Sequence, residues 1–211
     1  MRIDSLLCCC RCCGRRDHTS SELFWTINDA IRPSAKIASA AQQILTYLKN
    51  LNTTTVALHV RAESDWVAHC EAWENIKDGI IRDNCMTNTD NLLNTLSIAG
   101  IEPGATIYLA GGYTKQDITT NPHLNKLTRS FNVITKEDII TGYNADVLQA
   151  QREYFAAIDF EVCLKVPIFV GNSVSTFSAM LLMMRERQRQ QHAQPLKHFH
   201  YNGAEIPLLE F

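Results

Sequence analysis

A histidine and an arginine follow one stretch of β-branched residues, and their types and spacing point to phosphate chemistry. The run of residues 53–60 contains His59, and Arg61 comes directly after it. Alternation along a strand puts these two side chains on the same face. An arginine at the carboxyl end of a strand can grip a diphosphate with its planar, always-charged guanidinium, and it can stabilise a leaving diphosphate without a metal ion. The alternative is a surface arginine whose charge is paired with Glu63 or Asp65.

A second segment, Gly171 to Ser178, predicts a strand end, a glycine turn rich in hydroxyl groups and then a helix. The first N–H groups of such a helix lack partners within the helix, and together with the helix dipole they form an anion site. The hydroxyls of Ser175 and Thr176 can add hydrogen-bond donors. The alternative is an ordinary capped helix in which Ser173 or Ser175 is the N-cap and Phe177 packs in the core.

The elements that must position these residues alternate between strands and helices. Strands are predicted at residues 53–60, 105–110, 131–134 and 167–170, and helices at 33–49, 66–82, 87–99, 121–129, 145–164 and 175–190. This alternation predicts an α/β fold, a Rossmann-like parallel sheet with helices on both faces. In such sheets ligands bind beyond the carboxyl ends of the strands. The second predicted strand is followed by the pair Gly111-Gly112. Gly111 is a further candidate for close approach of a ligand or for a tight turn.

Composition and charge exclude several other classes of protein. The 211 residues suit one domain, and the hydrophobic fraction of 45% and charged fraction of 20% are those of a globular protein. A formal net charge of −2 argues against a nucleic-acid binder. The basic run from Arg185 to Arg189 is interpreted as the solvated end of a helix. His192, His198 and His200 have no cysteine or acidic ligand at supporting spacing, so no metal site is predicted.

The amino-terminal residues differ from the rest of the chain. Residues 1–21 are predicted to be a cysteine-rich, unstructured tail, and residues 22–211 to be the domain. Five of the eight cysteines lie between Cys8 and Cys13. Three interpretations of this cluster are open. The cysteines could be S-acylated, which would bring the chain to a membrane; they could form a metal site, although no second cysteine pair completes it; or they could belong to an unstructured amino terminus. The remaining cysteines are expected to be free and buried: Cys70, Cys85 and Cys163. No signal peptide or membrane-spanning stretch is visible in the sequence.

Taken together, these stretches resemble the protein O-fucosyltransferase family and its plant relatives. The resemblance covers residues of roughly 22–211, and its most specific parts are the segment from His59 to Trp66 and the segment from Phe169 to Ala179. Looser similarity is found at residues 107–112, 135–138 and 201–203. The resemblance implies a GT-B enzyme of two Rossmann-like domains, of which this chain is similar to the second, the one that holds most of the GDP-sugar.

The resemblance also implies roles for individual residues. Arg61 would be catalytic, contacting the β-phosphate and assisting its departure, and His59 would lie against the ribose or phosphate. Ser175, Thr176 and Phe177 would hold the diphosphate through hydroxyl and backbone groups. The same match adds four residues to the donor-binding set: Asp65, Gly111, Gly171 and Asn172. GDP-fucose would be the donor substrate and a protein hydroxyl the acceptor, in an inverting reaction that needs no metal or other cofactor.

Two departures from the family pattern lead to further expectations. Pro167 stands where relatives often have an acidic residue for guanine recognition, so Asp159 or Glu161 on the preceding helix would substitute for it. The first domain of the family is not found in this sequence, which leaves two alternatives open: a non-catalytic GDP-sugar-binding module and a membrane-tethered interaction domain. The family acts in the secretory pathway, and this is the expected location.

Overall fold

The structure is a computed structural model that describes residues 18–72, 85, 88–149, 152–192 and 195–202. The chain divides into two units, with the boundary between Ala35 and Lys36. In the first unit the helix α1 spans His18–Ala30, which the sequence analysis did not predict. The domain boundary at residue 21 remains a prediction, and the expectations for Cys8 to Cys13 lie outside the described residues.

The second unit alternates strands and helices as the sequence predicts. Its strands are β1 (Thr55–His59), β2 (Thr106–Ala110), β3 (Asn132–Ile134), β4 (Ile168–Gly171) and β5 (Lys197–His200). Its α-helices are α2 (Ala35–Asn50, which begins at the unit boundary), α3 (Ser64–Ala72), α4 (Thr89–Ile98), α5 (Lys115–Thr120), α6 (Pro122–Thr128), α7 (Arg152–Lys165) and α8 (Thr176–His192). No helix among the described residues combines the length and apolar character that a bilayer crossing requires.

The five strands form one sheet in the order β3-β2-β1-β4-β5, and every neighbouring pair is parallel. The central strand β1 is in register with β2 on one side, where His59 pairs with Ala110, and with β4 on the other, where Leu58 pairs with Val170. The carboxyl ends of all five strands therefore lie at one edge. The predicted parallel, Rossmann-like sheet is confirmed.

Alternation along the strands divides the core into two layers. Val56 and Leu58 face the layer that contains the buried leucines of α4 and α6, whereas Ala57 and Phe169 face the layer that contains α2, α7 and α8. Successive side chains of a strand point to opposite faces, so an uninterrupted apolar strand is covered on both sides. Helices therefore lie on both faces of the sheet, as predicted.

Several elements differ from the prediction. The helix α5 (Lys115–Thr120) was not predicted, and residues 73–82 of the helix predicted at 66–82 lie outside the described residues. Residues 145–164 were predicted as one long helix, but a 3-10 helix occupies Gly142–Gln149 and α7 begins only at Arg152. The edge strand β5 was not predicted, because Lys197-His198-Phe199-His200 contains one aromatic residue among polar ones. A strand with a single neighbour can keep polar side chains partly exposed, and this weakens the apolar pattern by which strands are detected.

Arg185 corrects the interpretation of the basic run as a solvated helix end. Its side chain is fully buried. The guanidinium donates hydrogen bonds to the carbonyl oxygens of Cys163, Leu164, Val166, Pro167 and Lys197 over 2.6 to 3.4 Å. These carbonyls belong to the end of α7 and to the entrances of β4 and β5. Arg185 therefore joins three elements at the amino-terminal edge of the sheet.

The cysteines give a second correction. Cys70 and Cys85, expected to be free, form a disulfide across 15 positions of sequence. Spacing alone could not reveal the pair, because disulfide formation depends on the distance and direction of the two Cβ atoms. Cys163 is a buried free cysteine, as predicted.

Candidate functional site

The order in which strands are added to the sheet changes side at the boundary between β1 and β4. From β1 the chain proceeds to β2 and β3 on one side, and β4 and β5 lie on the other. Connections that leave in opposite directions open a crevice at the carboxyl ends of the two strands, and ligands of open α/β sheets bind in such a crevice. The residues that follow β1 and β4 are therefore the candidates for a binding site.

The segment after β4 is a tight turn shaped by the Asn172 side chain, which is completely buried. Its Oδ1 accepts a hydrogen bond from the Val174 amide at 2.9 Å and another from Asn202 Nδ2 at 3.0 Å. Asn202 Oδ1 in turn accepts from the Ser173 amide at 2.8 Å. Through these hydrogen bonds the Asn172 side chain fixes the turn. The structure thus gives Asn172 the role of shaping the backbone of the candidate site.

Helix α8 begins immediately after this turn, at Thr176. Ser175 is buried, Thr176 is exposed and Phe177 is half-buried. The first N–H groups of α8 have no carbonyl partner within the helix, and they open at the same edge of the sheet as β1. Their dipole favours an anion at this position.

Gly171 allows the helix to approach the strand closely. A Cβ atom at this position would lie 2.5 Å from the hydroxyl of Ser178 and 2.8 Å from the Phe169 ring. Both distances are shorter than real Cβ contacts, and both neighbours are buried. Only glycine fits here without moving α8 away from β4.

His59 is buried at the end of β1 and contacts the start of α8. Its Nδ1 is hydrogen-bonded to Ser178 Oγ at 2.9 Å, and its ring centroid is 4.5 Å from that of Phe177. The Asn172 amide donates to the same Ser178 oxygen, which leaves the hydroxyl proton available to Nδ1. Burial, with a smaller effect of the Arg61 charge, lowers the pKa of His59 to about 3. His59 is therefore a neutral group at physiological pH.

Arg61 extends from the loop after β1 with 28% of its side chain exposed. One guanidinium nitrogen is 3.5 Å from Glu63 Oε1, and the guanidinium carbon lies 4.6 Å from the centroid of the Trp66 ring. A pairing with Glu63 or Asp65 was the alternative to the diphosphate-binding interpretation of Arg61, and the contact with Glu63 is present. The Arg61 side chain is therefore partly exposed to solvent, and an anion that reaches it can compete with Glu63 for the guanidinium.

Two tyrosine hydroxyls hold the backbone of this loop. Tyr113 Oη accepts a hydrogen bond from the Ala62 amide at 2.9 Å and donates to the Val60 carbonyl at 3.0 Å. Tyr201 Oη accepts from the Arg61 amide at 3.2 Å and from Asn172 Nδ2 at 3.0 Å. Tyr201 thus connects the loop after β1 directly to the turn after β4. The sequence pointed to Tyr201 only through resemblance at residues 201–203, without a role for its hydroxyl.

A buried ion pair occupies the carboxyl end of the neighbouring strand β2. Asp159 accepts from Lys136 Nζ at 2.9 Å, from Tyr108 Oη at 2.6 Å and from the Gly111 amide at 2.9 Å. Lys136 also donates to the Gly111 carbonyl at 2.6 Å. Gly111 has a φ of 143°, and a Cβ there would lie 2.8 Å from the Tyr113 ring. Both polar groups of Gly111 are therefore engaged inside the protein.

The two acidic residues expected to recognise guanine, Asp159 and Glu161, both have partners within the protein. Asp159 is 2% exposed and both of its carboxylate oxygens are engaged. Glu161 is paired with Lys165 on the same helix at 2.8 Å. Burial raises the pKa of Asp159, while Lys136, Tyr108 and the Gly111 amide oppose that shift. Asp159 therefore serves the fold, and substitution by Glu161 for the acidic residue whose position Pro167 occupies stays a prediction.

The structure brings most of the predicted site residues to one place. The set gathered where β1 and β4 end comprises His59, Arg61, Gly171, Asn172, Ser175, Thr176 and Phe177. Gly111 lies one strand away, and Asp65 is exposed in the first turn of α3. Among the described residues, no group of three or more His, Cys, Asp or Glu side chains is arranged to hold a metal ion.

Comparison with protein families identifies a match over most of the chain. The sequence model of the GDP-fucose protein O-fucosyltransferase family, O-FucT, matches residues 7–188. O-fucosyltransferase 23 of Arabidopsis thaliana is 30% identical over 142 residues, which are 63% of this chain and 30% of that protein.

Solved structures show the same fold. POFUT1 in complex with GDP-fucose has a TM-score of 0.52 and 20% identity, with 84% of this chain and 49% of that chain covered. POFUT1 in complex with GDP has a TM-score of 0.51 and 19% identity, with 84% and 51% covered. The chain therefore spans about half of these solved chains and less than a third of the Arabidopsis relative.

Proposed function

The chain belongs to the GDP-fucose protein O-fucosyltransferase family, and from this premise we propose that it binds the diphosphate of GDP-fucose between the ends of β1 and β4. The reaction proposed is transfer of fucose from this donor to a protein hydroxyl. The transfer inverts the anomeric centre, as resemblance to the family implies.

One observation carries the proposal. Arg61 and the turn that opens α8 follow adjacent parallel strands, and the hydroxyl of Tyr201 bridges the Arg61 amide and the Asn172 side chain. The permanently charged residue Arg61 and the amino terminus of α8 therefore lie at the same edge of the sheet. The guanidinium and the helix amino terminus each supply positive potential and hydrogen-bond donors, which is what the two phosphates of one diphosphate require.

Each residue has a distinct task in this proposal. Arg61 contacts the β-phosphate and stabilises the negative charge that grows as GDP leaves the sugar. The amides of α8, together with the hydroxyls of Ser175 and Thr176, bind the diphosphate. His59 acts as a neutral hydrogen-bonding group, since burial keeps its imidazole uncharged. Because Arg61 supplies the positive charge, we propose that the transfer needs no metal ion.

Transfer requires more than the donor site. The chain spans about half of the solved POFUT1 chains and 30% of O-fucosyltransferase 23. We therefore assign donor binding to this region and propose that the acceptor is bound by a further Rossmann-like domain. Pro167, at a position where relatives often have an acidic residue for guanine recognition, favours one alternative, a GDP-sugar-binding module without transfer. This alternative predicts GDP binding but no fucosylation when a complementary first domain is supplied.

The disulfide supports the proposed location. Disulfides form and persist in oxidising compartments and are rare in the cytosol. The Cys70–Cys85 bond thus agrees with action in the secretory pathway. Expression of the chain with and without an added secretory leader, followed by thiol counting, would test this inference.

Calorimetric titration with GDP tests the donor site. Replacing Arg61 with alanine removes a charge-assisted contact worth about 1.5–3 kcal/mol, so the affinity should fall about ten- to 150-fold. Arg129→Ala is the matched control, since Arg129 is exposed and lies just before β3, at the opposite edge of the sheet. Equal GDP affinity of wild type and the Arg61 variant would refute the site.

A further inference from the structure

The indole of Trp66 lies against the guanidinium of Arg61. The distance of 4.6 Å from the guanidinium carbon to the ring centroid is one at which the negative face of an indole attracts a cation. A planar guanidinium also stacks on an aromatic ring, which limits its orientations. Trp66 is thus in a position to restrict the directions in which Arg61 can point.

The same indole is held in place from its other end. Its Nε1 donates a hydrogen bond of 2.9 Å to the carbonyl oxygen of Cys85, which is fully buried. Cys85 is bonded through its sulfur to Cys70. Trp66 and Cys70 are four positions apart on α3, so they lie on one face of that helix. The disulfide therefore fixes the acceptor of the indole N–H next to the helix that carries Trp66.

We propose that Trp66 is a positioning residue for Arg61 and that the Cys70–Cys85 disulfide holds Trp66 in the required orientation. This inference rests on the proposed function, in which Arg61 binds the diphosphate. An arginine side chain has many rotamers, and restricting it before the ligand arrives lowers the entropic cost of binding. Trp66 acts through Arg61 and contacts no phosphate itself.

A double-mutant cycle on the full chain, with GDP titrated by calorimetry, tests the inference. Trp66→Leu removes the aromatic face and should weaken GDP binding about two- to five-fold, the range expected for an exposed cation–π contact. Trp66→Phe keeps an aromatic face but loses the bond to the Cys85 carbonyl, and it should give a smaller loss. Neither substitution should change affinity once Arg61 is alanine, because the residue through which Trp66 acts is then absent.

The disulfide is tested in the same way. A variant with Cys70→Ala and Cys85→Ala should lose GDP affinity in the Arg61 protein and show no further loss in the Arg61→Ala protein. Circular dichroism establishes that the variant is folded. If the variant is not folded, the titration of Trp66→Phe still tests the hydrogen bond between the indole and the Cys85 carbonyl with the disulfide in place.

Two results overturn the inference: Trp66→Leu binds GDP as tightly as wild type, or it causes the same loss in the Arg61→Ala background. The second result would mean that Trp66 supports the fold in general. If instead Arg61→Ala itself binds GDP normally, the proposed function fails first. The two failures are therefore distinguishable from the same set of titrations.

Discussion

The buried ion pair at the end of β2 should make a large contribution to stability that depends on both partners. Asp159 accepts three hydrogen bonds, and its side chain and that of Lys136 are 2% and 4% exposed. Asp159→Ala would leave the Lys136 ammonium without its counter-charge and the Tyr108 hydroxyl without its acceptor. Removing one partner of a buried pair costs about 3–5 kcal/mol. For a protein of this size that corresponds to a fall in Tm of about 6–20 °C.

The same helix supplies the control. Glu161 and Lys165 form an ion pair of similar length, 2.8 Å, but the lysine side chain is 48% exposed. Glu161→Ala should therefore cost less than about 1 kcal/mol. Urea denaturation of both variants would measure the two free energies of unfolding. A loss for Asp159→Ala within 1 kcal/mol of the control loss would refute the reasoning.

A double substitution separates charge from packing. Replacing Asp159 with leucine and Lys136 with methionine removes both charges together and leaves side chains of broadly similar length. Exchange of a buried pair for apolar residues is often neutral or stabilising. We expect this double variant to recover only part of the stability that Asp159→Ala loses, because no buried charge remains but the Tyr108 hydroxyl and the Gly111 amide and carbonyl lose their partners. No recovery would mean that the unpaired charge is not the source of the loss.

Three further predictions concern other buried groups. Gly171→Ala would place a methyl group 2.5 Å from a buried hydroxyl, so thermal melts should show a loss of about 1–3 kcal/mol; Gly112→Ala, where a Cβ meets nothing within 4 Å, should be near wild type. Because His59 has a pKa of about 3 when folded and 6.5 otherwise, the stability that its neutral form contributes is complete above pH 6.5. This contribution falls by about 2 kcal/mol when the pH is lowered to 5. The free energy of unfolding of His59→Asn should therefore depend less steeply on pH than that of the wild type. Arg185→Met removes the donor for five carbonyls and should cost about 3 kcal/mol or more, whereas Arg189→Met should cost less than 1 kcal/mol in the same urea titration.

Much of the sheet was predictable because its strands are fully buried. Val56-Ala57-Leu58 and Ile107-Tyr108-Leu109 are continuous apolar runs, and the structure places both within their predicted ranges. The edge strand β5 lacked this pattern. The burial of Arg185 was not predictable, because helical spacing shows which residues share a face but not whether a neighbouring element covers that face.

The site was predictable where it depended on position after a strand and not where it depended on contacts between distant residues. Arg61 and Ser175 follow predicted strands, so they could be assigned to one edge from topology alone. The hydrogen bond that the Arg61 amide donates to the Tyr201 hydroxyl spans 140 positions of sequence. Nothing in the local sequence identifies that partner, and the Cys70–Cys85 pair was missed for the same reason.

Strand β4 has a different task at each of its ends. The Arg185 guanidinium holds the carbonyls of Val166 and Pro167 just before the strand, and Gly171 ends it at the candidate site. The four residues of the strand separate these ends by about 13 Å. Substitutions at such a distance usually contribute independently to the free energy. Thermal tolerance could therefore be engineered around Arg185 without altering the affinity that we propose for a nucleotide at the opposite edge of the sheet.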